Sequence, residues 1–100
     1  MSTHREMTRK PTTPGEILHE EFLMPFGMSQ KELAHHLGCD VKVVNRIVKG
    51  RTSVTAAMAV RLGAAFGTTP DFWLNCQMAC DLYRAIKSAR RLPRRLVRSA

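Results

Sequence analysis

The sequence predicts an all-α fold, a five-helix bundle, on three observations. Apolar residues recur at spacings of three and four, which is the period of one helix face. Each apolar segment follows a Ser, Thr or Asp that can cap a helix N-terminus. Most of these segments end at a Gly or Pro, residues that terminate helices. With 100 residues, 44% of them apolar, the chain suits one globular domain with a modest core.

The first helix begins at Thr13, which is a good N-cap residue. Pro14 suits the first helical position, and Glu16 completes a capping box with Thr13. We expect Pro25 to end this helix, because proline cannot donate the backbone hydrogen bond that a helix interior needs. The predicted buried stripe consists of Ile17, Leu18, Phe22 and Leu23.

The second helix lies in the segment QKELAHHLGCDVKVVNRIVKGR, residues 30–51. Ser29 caps it and Glu32, three residues later, completes a second capping box. The helix runs to Leu37. Gly38 follows, and glycine tolerates the left-handed backbone conformation that commonly ends a helix.

The third helix begins after Asp40 and runs from Val41 to about Val48, with Gly50 ending it. Two helices joined by a short turn that contains glycine form a helix-turn-helix. The apolar positions share one face of each helix: Leu33, Ala34 and Leu37, then Val44, Ile47 and Val48. A generic helical hairpin is the alternative, but the joint spacing favours a DNA-reading motif.

The fourth helix begins after Thr55 and ends at Gly67, and its inward positions are Ala59, Leu62 and Phe66. The fifth helix opens at Thr69, with proline in its first position, and runs to about Ala89. We predict one apolar stripe at Phe72, Cys76, Ala79, Tyr83 and Ile86, with Trp73 and Cys80 near it. A second stripe comprises Leu74, Met78 and Leu82. Two apolar faces imply a second burial partner, either another copy or another protein.

The formal net charge of +8 indicates a polyanionic partner, with nucleic acid ahead of membrane. We divide the chain into a flexible N-terminal arm (1–12), a helix-turn-helix domain (13–89) and a basic, disordered tail (90–100). From residue 84 onward the chain has basic residues and no acid: Arg84, Lys87, Arg90, Arg91, Arg94, Arg95 and Arg98. This segment could contact DNA, meet an acidic protein, or remain solvated.

Other classes of function have little support in the sequence. No apolar run is long enough for a membrane span and no signal peptide is apparent, so a cytoplasmic location is expected. Three cysteines suggest reduced thiols, since their number is odd. We expect no metal, because Cys76 and Cys80 supply two ligands and His35 and His36 point to different sides of a helix. No nucleophile has an identifiable base, so we expect neither catalysis nor a cofactor.

Three stretches, together with Gln77 after the last of them, carry a resemblance to a known family: TPGEILHEEFL, MSQKELAHHLG and NRIVKGRTSVTAAMAVRLGAAFGTTPDFWLN. They resemble the HigA antitoxin family, also called the VapI type, of Cro/phage-repressor-like helix-turn-helix proteins. The resemblance covers about residues 14–82 and implies a five-helix dimer. It also implies repression of the protein's own operon and neutralisation of a small, basic, RelE-like mRNA-cleaving toxin. Lys49, where the family commonly has Asn, and the Arg-rich tail depart from the shared pattern.

Helix-turn-helix geometry and the resemblance together give the site residues. In this motif the second helix lies in the major groove of duplex DNA. The predicted base contacts are Val41, Lys42, Asn45 and Arg46, and the predicted phosphate contacts are Ser29, Gln30, Lys49 and Arg51. The predicted dimer interface is Leu74, Met78, Leu82 and Ile86, and the partner DNA is an inverted-repeat operator. A free-standing repressor without a toxin is the alternative function, and either end of the chain could carry the toxin surface.

Overall fold

The computed structural model describes residues 9–98, and this part of the chain contains five helices and no strand. Helix α1 covers residues 14–26, and it comprises an α-helical turn (Pro14–Ile17), a π-helical segment (Leu18–Leu23) and a final turn (Met24–Phe26). The other helices are α2 (Gln30–Leu37), α3 (Val41–Val48), α4 (Ala56–Phe66) and α5 (Pro70–Ser88). The predicted all-α, five-helix architecture is therefore confirmed.

Every predicted N-cap side chain accepts a hydrogen bond from its own helix. The five cap residues are Thr13, Ser29, Asp40, Thr55 and Thr69. Both predicted capping boxes are complete, because Glu16 and Glu32 each accept a hydrogen bond from the backbone N–H of their cap residue, at 3.1 and 2.9 Å. These hydrogen bonds hold the pKa of each glutamate below its usual value. The helix starts are thus fixed by local chemistry.

Helix α1 does not stop at Pro25. Its middle widens into π-helical turns, in which the backbone N–H of Met24 bonds the carbonyl of His19, five residues earlier. The π-helical segment ends at Leu23, and Pro25 lies in the α-helical turn that follows and reaches Phe26. Proline has no N–H to contribute to this turn. Gly27 then ends the helix with φ +61°, a left-handed conformation suited to glycine.

The core lies where all five helices meet. Its largest fully buried side chains are Trp73, Leu18, Leu33, Leu62 and Val44. The one indole N–H of the chain also has a partner, since Trp73 donates to the hydroxyl of Thr68 at 2.7 Å. Because this donor is satisfied, the large ring can be buried at the centre of the molecule without a desolvation penalty.

Helix α1 packs closely against the end of α3 at Gly15. A Cβ atom at this position would overlap the carbonyl oxygen of Ile47 and would lie 2.6 Å from that of Val48. The contact is backbone against backbone, so neither side can move aside cheaply. Glycine is therefore required here for proximity, and α1 supports the C-terminal end of α3.

The buried face of α5 is centred on Trp73 and Cys80, beside the predicted stripe. Four members of that stripe are half-buried: Cys76, Ala79, Tyr83 and Ile86. Trp73 and Cys80 are buried and Leu74 packs against the core, whereas Phe72 remains 38% exposed. The half-buried Gln77 lies on the same face and uses its side-chain oxygen to accept the backbone N–H of Val54, at 2.9 Å. This orientation of α5 brings the amide of Gln77 inward.

The two terminal segments are described in part. Residues 1–8 of the predicted arm and residues 99–100 of the predicted tail lie outside the described residues. Residues 9–12 are non-helical, and the thiol of Cys80 donates to the carbonyl of Thr12 at 3.6 Å. Residues 90–98 are also non-helical and exposed. None of the helices within residues 9–98 has the length and apolarity needed to cross a bilayer.

Candidate nucleic-acid interface

Helix α3 divides its side chains between the core and the surface. Val44 and Ile47 are buried, at 1% and 3% exposure, and they fix the orientation of the helix. The opposite face presents Val41, Lys42 and Arg46 to solvent. An exposed polar face on a helix that is held by two buried aliphatic residues can enter a groove of DNA without disturbing the core.

A shallow concavity collects most of the predicted DNA contacts. It is lined by Gln30, Val41, Lys42, Asn45, Arg46 and Arg51. The structure thus brings together all four predicted base-contact residues and two of the predicted phosphate contacts. Two further predicted phosphate contacts, Ser29 and Lys49, are exposed but do not line this concavity.

A hydrogen bond between the two helices of the motif could not be read from the sequence. The amide nitrogen of Asn45 donates to the side-chain oxygen of Gln30 at 3.0 Å. This bond leaves Asn45 one N–H and its oxygen for a base, and it leaves the amide group of Gln30 free to donate outward. The bond therefore fixes the positions of the remaining donors, the amide N–H groups of Gln30 and Asn45, and of one acceptor, the side-chain oxygen of Asn45.

Ser29 is engaged by its own helix. Its hydroxyl oxygen accepts from the backbone N–H of Glu32, and its backbone N–H donates to the Glu32 carboxylate. These bonds lower the pKa of Glu32, so this carboxylate is ionised at neutral pH. Because a carboxylate repels phosphate, only the hydroxyl proton of Ser29 remains suited to a DNA contact.

Asp40 acts as the cap of α3, as the sequence predicted. Its side-chain oxygen accepts from the backbone N–H of Lys42 at 2.8 Å. The preceding turn is closed by Gly38, which has φ +72°, and by a hydrogen bond from Arg61 on α4 to the carbonyl of Leu37, at 2.8 Å. These contacts fix the angle between α2 and α3. They therefore hold in place the residues that line the concavity described above, which we call the reading surface.

The loop that contains Arg51 is hydrogen-bonded to α5. Gln77 accepts the N–H of Val54 and donates to Asp81 at 2.9 Å. A second, more polar cavity lies beneath this loop, and Arg51 and Arg84 both line it. Gln77 belongs to the family resemblance, but its contact with this loop was not predicted from the sequence.

Comparison with known proteins places these features in a family. A helix-turn-helix family matches residues 20–73. Antitoxin HigA-1 of Vibrio cholerae is 43% identical over 79 residues, which cover 79% of this chain and 74% of that protein. The structure also matches Pseudomonas aeruginosa antitoxin HigA with the higBA promoter, at a TM-score of 0.76 and 42% identity, covering 78% of this chain and 85% of that one. The chain belongs to the HigA family of helix-turn-helix proteins.

Some relatives of this chain are named as antitoxins and others as transcriptional regulators. An uncharacterized HTH-type transcriptional regulator of Haemophilus influenzae is 47% identical over 77 residues, covering 77% of this chain and 72% of that protein. The HigA family is not enzymatic in general. The predicted family resemblance is confirmed by these matches, while the roles of individual site residues stay predictions.

Two cysteines of α5, Cys76 and Cys80, have partly or fully buried side chains. Burial raises the pKa of both Cys76 and Cys80, so the two thiols are neutral at pH 7. Within residues 9–98, no group of three His, Cys, Asp or Glu side chains is placed to hold a metal ion. Cys80 instead packs on the core face of α5 and ties residue 12 to this helix.

Proposed function

We propose that this protein is an antitoxin that binds an inverted-repeat operator as a homodimer and represses its own operon. In this proposal it also neutralises a small, basic, RelE-like mRNA-cleaving toxin, and it acts in the cytoplasm. The observation that carries the DNA-binding part is the surface of α3. There the predicted base-contact residues share one concavity with Gln30 and Arg51.

The chemistry of this surface suits base edges in the major groove. Arg46 and Lys42 can donate to the O6 and N7 acceptors of guanine, and Asn45 can pair with adenine. Val41, which is 40% exposed, can pack on a thymine methyl group. Gln30, Lys49 and Arg51 are the proposed phosphate contacts, with Ser29 contributing only its hydroxyl proton.

One such helix offers too little contact for tight, specific binding. A two-fold dimer would present two α3 helices about 34 Å apart, one turn of duplex DNA, and would explain an inverted-repeat operator. The proposed interface is the outer face of α5, where Met78 and Leu82 are 54% and 48% exposed. Leu74 and Ile86 are half-buried and flank them.

The DNA-binding part is tested by comparing two single variants on a panel of base-substituted operators. We expect Arg46→Ala to lose about 1–3 kcal/mol of binding free energy and to relax the preference at one base pair. Lys49→Ala should weaken binding to all sequences alike, because a phosphate contact carries no sequence information. Equal losses on every operator for Arg46→Ala would reject its base-reading role.

The toxin part has a competing proposal, a free-standing repressor, which the name of the Haemophilus relative favours. Co-expression with the neighbouring reading frame separates the two. An antitoxin should co-purify with a small basic protein and relieve its toxicity. A repressor without a toxin should bind its operator equally well and show neither effect.

A further inference from the structure

We propose that the basic end of the chain is a second DNA-contacting element. It contacts the phosphate backbone next to the operator half-site that α3 contacts. We call this element the basic extension and define it as Arg84, Lys87, Arg90, Arg91, Arg94, Arg95 and Arg98. This inference rests on the proposed operator binding. Unlike the α3 contacts, the basic extension would add affinity without sequence preference.

The basic extension begins close to the surface of α3 that is proposed to contact DNA. Arg51 lines the α3 concavity, and it also lines the polar cavity that Arg84 borders on α5. The reading surface and the start of the basic extension therefore share a boundary residue. Helix α5 ends at Ser88, four residues and about 6 Å beyond Arg84, so residues 90–98 begin close to this boundary.

The basic extension carries positive charge and very little negative charge lies near it in the sequence. Arg84 forms an ion pair with Asp81 at 3.8 Å, with both side chains more than half exposed. Beyond Asp81 the chain has no acidic residue, so the remaining positive charges have no carboxylate partner within their own segment. The local surface of such an arginine segment attracts a polyanion and repels a basic surface. Because the proposed toxin is itself basic, DNA is the better partner.

The apolar side chains of residues 90–98 do not pack against the core. Leu96 and Val97 are 94% and 88% exposed, and Leu92 is 61% exposed. These side chains add nothing to the core, and they lie beyond the end of α5 at Ser88. Nine residues in an extended conformation reach at most about 30 Å. That length matches about nine base pairs, so the segment can follow the backbone outward from the half-site.

The test uses the 100-residue protein with five substitutions: Arg90→Gln, Arg91→Gln, Arg94→Gln, Arg95→Gln and Arg98→Gln. The matched control changes the same five residues to lysine and keeps the charge. Binding is measured against salt concentration on the promoter fragment and on an unrelated duplex of equal length. We expect the glutamine variant to reduce the slope of log affinity against log salt by up to about 4.5, since each phosphate contact contributes about 0.9. The lysine variant should keep the slope of the unaltered protein.

The reduction should be the same on both duplexes, and circular dichroism should show unchanged helix content. An unchanged slope for the glutamine variant would overturn the inference, as would a loss confined to the promoter fragment. Unchanged DNA binding together with loss of an acidic protein from a pull-down would assign the segment to a protein partner instead. If the unaltered protein fails to prefer its promoter, the operator proposal fails, whereas the slope on the unrelated duplex still decides the role of the basic extension.

Discussion

Two residues of the reading surface, Gln30 and Asn45, are joined by a hydrogen bond. Asn45 is half-buried and its amide is oriented by Gln30, which lies fifteen residues earlier on the neighbouring helix. The sequence predicted both residues as DNA contacts but could not predict their bond. A side-chain hydrogen bond between helices depends on the angle at which they cross, and residue spacing within one helix does not contain that angle.

The Gln30–Asn45 bond predicts coupling in operator binding. We expect Gln30→Ala and Asn45→Ala each to weaken binding, and the double variant to lose less than the sum of the single losses. The coupling energy should be about 0.5–3 kcal/mol, the usual range for residues in contact. A double-mutant cycle on operator affinity measures it. Gln30→Ala combined with Lys49→Ala is the control pair, because Lys49 does not line the concavity that Gln30 lines. Additive losses for Gln30 and Asn45 would show that the two side chains contact DNA independently.

At the level of helices, the sequence predicted the starts well and one buried face only in part. Caps such as Ser29 and Thr69 are local, since each side chain bonds a backbone N–H three residues away. The core face of α5 is not local. Several apolar stripes run along this helix, and packing selected the one that contains Trp73 and lets Gln77 satisfy the N–H of Val54. A pattern of apolar residues alone would have placed this amide outside.

The end of α1 shows a similar limit. Proline normally predicts a helix end, and the α-helical hydrogen-bond pattern indeed does not continue regularly into Pro25. The chain instead adopts wider π-helical turns and continues to Phe26. Ring contacts between Phe26 and Phe66, at a centroid separation of 5.4 Å, hold the last turn against α4. Tertiary packing therefore extended a helix that local rules would have ended.

The contact between α1 and α3 predicts that Gly15→Ala will disturb DNA binding as well as stability. The added methyl group would push on the backbone at Ile47 and Val48, and overpacking of this kind costs about 1–3 kcal/mol. Because α3 would shift, operator affinity of the folded protein should also fall. Urea unfolding and operator titration measure the two effects.

Gly27→Ala is the matched control for this prediction. Gly27 has φ +61° and open space around its Cα, so alanine there should cost about 1–2 kcal/mol through backbone strain alone. It should leave the operator affinity of the folded protein unchanged. Equal operator affinity for both variants would show that Gly15 supports stability but does not position α3.

For the molecule as a whole, positive charge favours DNA binding, whereas exposed apolar surface favours dimer formation. The net charge of +8 favours DNA at long range, but it also opposes association of two copies. A dimer must therefore be held by apolar burial. Within the described residues, the outer face of α5 offers Met78 and Leu82 as neighbours one helical turn apart, each about half exposed. This arrangement suits a self-complementary interface.

The dimer is tested by placing charge on this face. We expect Met78→Glu combined with Leu82→Glu to give a folded monomer, because four carboxylates would meet at the two-fold interface without partners. Affinity for a full operator should fall about 10²–10⁴-fold, while affinity for a single half-site should not change, since only the linkage of two reading helices is lost. Sedimentation equilibrium and operator titration measure these effects. Met24→Glu, at a methionine 64% exposed on α1, is the matched control. A dimer that survives the α5 changes would move the interface elsewhere.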